Sequence, residues 1–130
     1  MIVDASVVVA ALVDSGPAGT WAEERLAAGR PAAPHLMPAE VANVLRRAEL
    51  GGELSADVAA LAYADLVALP VELYPFEPFA GRVWQLRHAI TAYDGWYVAL
   101  AETLDTPLAT LDGRLATAPG PRCTIVHFPS

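Results

Sequence analysis

Short apolar runs alternate with longer stretches of helical periodicity along the whole of this 130-residue chain. Five apolar runs predict strands, at residues 1–3, 31–36, 71–74, 107–111 and 124–128. Six further stretches predict helices, at residues 7–13, 20–28, 37–50, 56–69, 77–90 and 92–104. Helices that alternate with strands are typical of a parallel sheet. With no internal repeat or linker, the pattern predicts one α/β domain over residues 1–130.

Residues that begin or end helices fall at the edges of these stretches. Ser6, Ser55 and Thr91 each precede a predicted helix, where a hydroxyl oxygen accepts a free backbone N–H of the first turn. Gly29 ends the second helix, as glycine commonly does. For residues 7–13, the β-branched valines leave helix and strand open by periodicity alone. The cap at Ser6 favours the helix.

The hydrophobic content predicts a folded core and excludes several classes of protein. Apolar residues make up 55% of the chain and the mean hydropathy is +0.37, values that argue against disorder. No stretch free of Asp, Glu, Lys and Arg exceeds nine residues, whereas a membrane-spanning helix needs about 20. Asp4 lies where a secretory signal would carry basic residues. The single cysteine, Cys123, excludes an internal disulfide and a zinc site built from cysteines, so we expect a cytoplasmic protein.

The charge balance restricts the chemistry further. Eight basic residues face 15 acidic ones, for a net charge of −7, and every basic residue is an arginine. Without lysine, the chain has neither the phosphate-binding loop of nucleotide hydrolases nor Schiff-base chemistry through a lysine amine. An acidic protein repels nucleic acid unless cations intervene. Any nucleic-acid function therefore requires a source of positive charge.

Four acidic residues fall where the predicted fold would gather them. Asp4 and Asp112 follow predicted strands, while Glu40 and Asp94 lie in the first turns of predicted helices. Each acid alone has a structural explanation, as a charge near a helix dipole, a turn residue or a member of a capping box. Ligands of an open parallel sheet, however, bind beyond the carboxyl ends of its strands. The four acids together predict a carboxylate cluster at one rim of the sheet.

A carboxylate cluster of this kind calls for a hard divalent cation. Neighbouring carboxylates repel one another, and Mg²⁺ or Mn²⁺ prefers ligands that offer oxygen alone. Such ions polarise a phosphoryl oxygen and activate water for attack. Two of them would offset the charge of all four carboxylates, which removes much of the objection to a nucleic-acid substrate.

Four segments of the chain resemble the PIN-domain family, and most of all its VapC-type toxins. They are MIVDAS at 1–6, PAEVANVL at 38–45, YDGWYVALAE at 93–102 and LATLD at 108–112, in the order usual for the family. The resemblance implies a Rossmann-like three-layer sandwich with a short, mainly parallel sheet flanked by helices. It also implies a metal-dependent endoribonuclease that acts as the toxin of a toxin–antitoxin pair.

The same resemblance implies roles for individual residues. The acidic quartet of the family corresponds to Asp4, Glu40, Asp94 and Asp112, with Asp4 and Asp94 as the ligands of Mg²⁺ or Mn²⁺. Hydroxyls that hold a carboxylate or a water correspond to Ser6 and Thr110, and Asn43 would orient the scissile phosphate. One departure from the family is Gly95, which would loosen the turn that carries Asp94.

The implied partners are RNA, a VapB-type antitoxin protein and a second copy of the chain in a homodimer. We expect the antitoxin to dock in a groove lined by Trp21, Leu26, Val41 and Leu45. The alternative, given equal weight for Val41, is that these side chains fill the core of the protein itself.

Two further interpretations remain open at this stage. The acidic rim of a catalytically inactive PIN-like module could instead dock a basic protein partner, a function that requires no metal. The tryptophans Trp21, Trp84 and Trp96 are interpreted as core or interface residues rather than as stacking platforms for bases.

Overall fold

The computed structural model describes residues 1–128 and contains a five-stranded sheet whose neighbouring strands all run parallel. The strands are β1 (Ile2–Val3), β2 (Ala32–Pro34), β3 (Glu72–Tyr74), β4 (Leu108–Thr110) and β5 (Ile125–His127). They lie in the order β3-β2-β1-β4-β5. Each strand falls within an apolar run that predicted it, so the α/β prediction is confirmed.

Seven α-helices flank the sheet in the described part of the chain. They are α1 (Ala5–Val13), α2 (Pro17–Ala27), α3 (Met37–Leu50), α4 (Ala56–Ala68), α5 (Ala80–Gln85), α6 (Ala92–Leu104) and α7 (Gly113–Thr117). Helix α1 packs against α2, α3 and α4, whereas α6 packs against α5 and against the strands β1, β2 and β4.

The structure corrects three predictions about helices. The stretch 77–90 is not one helix but a 3₁₀ turn at Glu77–Phe79, followed by α5 and then by a series of turns. Helix α5 ends at Gln85, where the backbone N–H of Leu86 is shared between the carbonyls of Arg82 and Val83 as the helix tightens. Helix α2 begins at Pro17 rather than residue 20, since proline suits the first helical position. Helix α7 was not predicted, because five residues are too few to show periodicity.

The residue that caps α1 is Asp4 and not Ser6. Asp4 has an extended backbone, with φ −82° and ψ 172°, and its carboxylate accepts the backbone N–H of Val7. Ser6 already lies in the first turn of α1, so its hydroxyl is free for other partners. The predicted caps Ser55 and Thr91 are confirmed, because each side chain accepts a backbone N–H of the helix that follows.

Two central strands form the most deeply buried part of the core. The side chains of Ile2, Val3, Leu108 and Ala109 are completely inaccessible to solvent. Their register pairs Ile2 with Leu108 and Val3 with Ala109, so β1 and β4 end side by side. The residues that follow these two strands are therefore attached to the most deeply buried part of the fold.

Two glycines allow helices to approach closely. At Gly19 in α2, a Cβ atom would lie 1.7 Å from the carbonyl oxygen of Asp14 and 2.7 Å from its carbonyl carbon. At Gly95 in α6, a Cβ would lie 3.3 Å from Cγ1 of Val83 in α5. Gly95 is thus a packing contact between α5 and α6, which gives this departure from the family pattern a structural reason.

An ion pair joins α5, α6 and the segment before β5. The guanidinium of Arg82 donates two hydrogen bonds to Glu102, at 2.7 and 3.1 Å, and a third to the carbonyl of Gly120 at 2.9 Å. Glu102 also accepts the backbone N–H of Arg122 at 2.7 Å. The hydrogen bonds and positive charge from Arg82 lower the pKa of the Glu102 carboxyl despite its burial. Glu102 is therefore a structural residue.

The side of the sheet on which successive strands are added changes between β1 and β4. From β1 the next two strands are added on one side, as β2 and β3, and the last two on the other, as β4 and β5. This arrangement leaves a crevice at the carboxyl ends of β1 and β4, the usual position of ligands in open α/β sheets. No helix within residues 1–128 combines the length and hydrophobicity needed to cross a bilayer.

Candidate active site

The four predicted acids come from four different elements and meet at this crevice. Asp4 follows β1, Asp112 follows β4, Glu40 lies in the first turn of α3 and Asp94 in the first turn of α6. Their negative charges act on one another: Asp94 raises the pKa of Asp4, both raise that of Glu40, and Asp112 raises that of Asp94. Asp94 is therefore close enough to each of the other three acids for their charges to interact.

Asp4 is the most buried member of the cluster. Its side chain is bound by the hydroxyl of Ser6, at 2.5 Å to Oδ1, and by the hydroxyl of Thr110, at 2.5 Å to Oδ2. Burial raises the pKa of the Asp4 carboxyl, the bonds from Ser6, Thr110 and Val7 oppose that rise, and the charge of Asp94 adds to it. Three donors thus orient both oxygens of a carboxylate that the core would otherwise exclude.

The two hydroxyls also attach Asp4 to the loop after β4. The Ser6 hydroxyl oxygen accepts the backbone N–H of Leu111 at 3.0 Å, and that of Thr110 accepts the backbone N–H of Asp112 at 2.9 Å. Each hydroxyl therefore donates to Asp4 and accepts from the main chain. The positions of Asp4 and Asp112 relative to each other are set by this pair of bridges.

Glu40 is held by a residue that the sequence reasoning missed. The phenol of Tyr97, which is 2% exposed, donates a hydrogen bond of 2.7 Å to Oε1 of Glu40. Burial raises the pKa of the Glu40 carboxyl, and the bond from Tyr97 partly opposes this rise. Tyr97 occurs in the segment that carried the family resemblance. The usable signal was a tyrosine in an apolar helix, whose hydroxyl needs a partner once buried.

Asp94 and Asp112 line one cleft of about 420 Å³. Burial is the main cause of the raised pKa of the Asp94 carboxyl, followed by the charge of Asp112, while Thr91 and Arg114 act in the opposite direction. Asp112 also caps α7 by accepting the backbone N–H of Arg114 at 2.9 Å. Asp94 and Asp112 therefore border the same cleft.

Several other predicted site residues lie elsewhere. Asn43 is exposed on α3, one turn after Glu40. Val41 is completely buried and Leu45 is 3% exposed, so the predicted antitoxin groove does not exist in the predicted form: the apolar face of α3 packs into the core. Trp21 is partly buried, with its ring 5.6 Å from that of Phe128. Leu26 lines a separate cleft beside Pro31 and Val71.

Trp84 was interpreted as a core or interface residue, and the structure shows that it does not lie in the core. Its side chain is 67% exposed on α5. One face of its ring is covered by Arg87, whose guanidinium carbon lies 4.5 Å from the ring centroid. The short helix α5 leaves this position outside the contact between α5 and α6, which Val83 makes instead.

The donor set of the cluster fits a hard cation in its chemistry. Within residues 1–128, no three side chains of His, Cys, Asp or Glu are arranged to hold a metal ion among themselves. Mg²⁺ does not require three, because it commonly binds through one or two carboxylates and keeps several water ligands. The burial and mutual repulsion that raise the pKa values of Asp4, Glu40 and Asp94 would both be offset by a cation.

Comparison with known proteins gives a consistent result. The model of the PIN domain family matches residues 1–121. A relative in Mycobacterium tuberculosis named Ribonuclease VapC1 is 46% identical over 125 residues, which cover 95% of this chain and 94% of the relative.

Two solved structures resemble the fold. A crystal structure of a protein from Pyrobaculum aerophilum matches with a TM-score of 0.72 and 20% identity, over 95% of this chain and 81% of that one. A second match is VapBC-5 from Mycobacterium tuberculosis, described as a member of the VapBC family of toxin–antitoxin systems. Its TM-score is 0.58 at 22% identity, over 97% of this chain and 94% of that one.

Proposed function

Because this chain belongs to the PIN-domain family, we propose that it is a metal-dependent endoribonuclease and the toxin of a toxin–antitoxin pair. The family resemblance read from the sequence is confirmed by the match over residues 1–121 and by relatives named VapC ribonucleases. The observation that carries the proposal is the meeting of Asp4, Glu40, Asp94 and Asp112 at the crevice between β1 and β4.

Each residue of the cluster has a place in the proposed reaction. Asp4 and Asp94 would hold Mg²⁺ or Mn²⁺, while Glu40 and Asp112 would complete the site or position the attacking water. When bound, the ion supplies Lewis acidity to the phosphoryl group and lowers the pKa of water.

The remaining contacts keep the carboxylates in place. Ser6 and Thr110 hold both oxygens of Asp4, and Tyr97 fixes Oε1 of Glu40. Carboxylates that are already oriented need little reorganisation when a cation and a phosphodiester bind, which favours catalysis. These three hydroxyl residues act as positioning residues.

The purified protein, free of any partner, is expected to cleave RNA in the presence of Mg²⁺ or Mn²⁺. Gel analysis of labelled RNA measures the cleavage, and EDTA should stop it because the cluster then lacks its cation. Restoration by added Mg²⁺ is the control for irreversible damage. Cleavage that continues undiminished in EDTA would contradict the metal mechanism.

A catalytically inactive module that docks a basic protein remains the second candidate, because the same acidic rim would attract arginine side chains. Calorimetric titration with Mn²⁺ separates the two functions. A nuclease must take up the ion with an affinity that Asp94→Asn reduces, whereas a docking module need not bind it.

The partner proposed for a toxin is a VapB-type antitoxin, and a homodimer is also proposed. The support is the likeness to VapC relatives and to VapBC-5. Co-expression with a cognate VapB-type antitoxin should yield a complex on size-exclusion chromatography that no longer cleaves RNA. Trp21, unlike Val41 and Leu45, is only partly buried, and it lies on α2 outside the acidic cluster. Trp21→Ala is therefore expected to weaken that complex without slowing cleavage. Unchanged affinity for the antitoxin would exclude Trp21 from the docking surface.

A further inference from the structure

Arginine side chains line the cleft that opens beside Asp94 and Asp112. Arg87 and Arg114 contribute to its wall, in a cleft of about 420 Å³, within the range of small-ligand sites. Arg87 comes from the turns after α5, and Arg114 from α7. Two of the eight basic residues of the chain thus border the same opening as two clustered acids, in a protein of net charge −7.

Arg87 is oriented before any ligand arrives. Its Nη1 donates a hydrogen bond of 2.8 Å to the carbonyl oxygen of Trp84, and its guanidinium lies over the Trp84 ring at 4.5 Å. Among residues 1–128, no carboxylate oxygen lies within 4.0 Å of its nitrogens. The positive charge is therefore fixed in place by a π face and a carbonyl, and its remaining donors are available.

Arg114 is less constrained and equally available. Its side chain is 96% exposed, and its Nε lies 3.7 Å from Oδ1 of Asp112, beyond ordinary hydrogen-bond distance. An exposed pair of this kind contributes little to stability, so the guanidinium can move to another anion at small cost.

We infer that this cleft binds an RNA phosphate next to the scissile bond, with Arg87 and Arg114 as substrate-binding residues. The inference rests on the proposed ribonuclease function and extends it to how the substrate is held. The four acids repel the RNA backbone, and a cation among them would serve the scissile phosphate alone. The guanidinium groups supply the positive charge required by the neighbouring phosphate, and each can bind it through two donors.

Binding of a short fluorescein-labelled single-stranded RNA, followed by anisotropy in EDTA, tests this inference without cleavage. Arg87→Ala and Arg114→Ala should each raise Kd by roughly three- to tenfold and reduce the slope of log Kd against log salt by about 0.7. The double variant should lose about twice that slope. In Mg²⁺, both variants should raise KM for RNA, and Arg87→Ala should leave kcat unchanged.

Arg30→Ala is the matched control, because Arg30 is an exposed arginine that precedes β2 and therefore lies at the amino ends of the strands, away from the crevice. The inference is overturned if the cleft variants bind RNA as the wild type does, or if the wild type binds no RNA. It is also overturned if they weaken only the binding of a protein partner, which would make the cleft a protein-docking surface. RNA binding that depends on Arg87 without any cleavage would instead contradict the proposed function and leave the cleft assignment intact.

Discussion

Asp94→Asn is expected to lower RNA cleavage by about a thousandfold or more while leaving the fold intact. The change removes one of the two carboxylates proposed to hold the cation, and losing several kcal/mol of transition-state stabilisation costs about this factor. Asp94 is the better choice for the experiment because Asp4 also caps α1. Initial rates of RNA cleavage, measured with circular dichroism of the same samples, check the prediction.

Asp65→Asn is the matched control, since it removes the same charge from an exposed position on α4. It should retain wild-type activity. Equal losses in the two variants would mean that net charge, rather than the cluster, governs cleavage. Full activity of Asp94→Asn would exclude Asp94 as a ligand.

The same variant has a distinct signature in the absence of metal. The pKa of Asp94 is raised above its usual 3.8 by burial and by Asp112. The folded state therefore binds this proton more tightly than the unfolded state, so the contribution of Asp94 to stability is greatest at low pH and is lost as pH rises through the folded-state pKa. In EDTA, the Tm of Asp94→Asn should increase relative to that of the wild type as pH rises from about 4 to 7. A constant difference between the two Tm curves would contradict the raised pKa.

Gly19→Ala is expected to lower the free energy of unfolding by about 2–4 kcal/mol. A Cβ at this position would overlap the carbonyl of Asp14, at 1.7 Å from its oxygen, and backbone atoms cannot rotate away as a side chain does. Helices α1 and α2 must separate, at a cost greater than the roughly 1 kcal/mol that alanine gains over glycine in a helix. Thermal and urea denaturation measure the loss.

Gly81→Ala provides the opposite control in α5. Nothing lies within 4 Å of a Cβ built there, and the residue is exposed. Helix propensity then acts alone, and the free energy of unfolding should rise by about 0.5–1 kcal/mol. If Gly19→Ala raises the free energy of unfolding as Gly81→Ala does, the close contact between α1 and α2 is wrong.

The sequence was sufficient to predict the strands of the sheet and the rim at which the acids lie, and the reason is physical. Buried parallel strands are continuous apolar runs, and the runs at 1–3 and 107–111 could hardly be anything else. Since parallel strands end at one rim, Asp4 and Asp112 had to approach each other once the strands were identified. Glu40 and Asp94 were predicted at the same rim from their places in the first turns of two helices, and the family resemblance then implied their roles.

What the sequence did not predict depends on contacts between distant residues. The bond from Tyr97 to Glu40 joins residues 57 positions apart and was not predicted. The family resemblance had already implied that the hydroxyls of Ser6 and Thr110 hold a carboxylate, which the structure identifies as Asp4. The prediction of an antitoxin groove was wrong because the sequence of α3 shows the same apolar periodicity whether that face packs against the core or binds a partner. Only packing decides between these, as the burial of Val41 shows.

The three roles of Asp4 affect which substitutions the chain can accept during evolution. Its carboxylate is at once a helix cap, a buried acceptor for two hydroxyls and a member of the acidic cluster. An apolar substitution there leaves the Ser6 and Thr110 hydroxyls without their acceptor, so the protein loses stability and cellular abundance together with the charge. A substitution at Asp94 removes the charge from the cluster without leaving buried hydroxyls unpaired. Mutations that remove the proposed activity are therefore less harmful to folding at Asp94 in α6 than at Asp4 after β1.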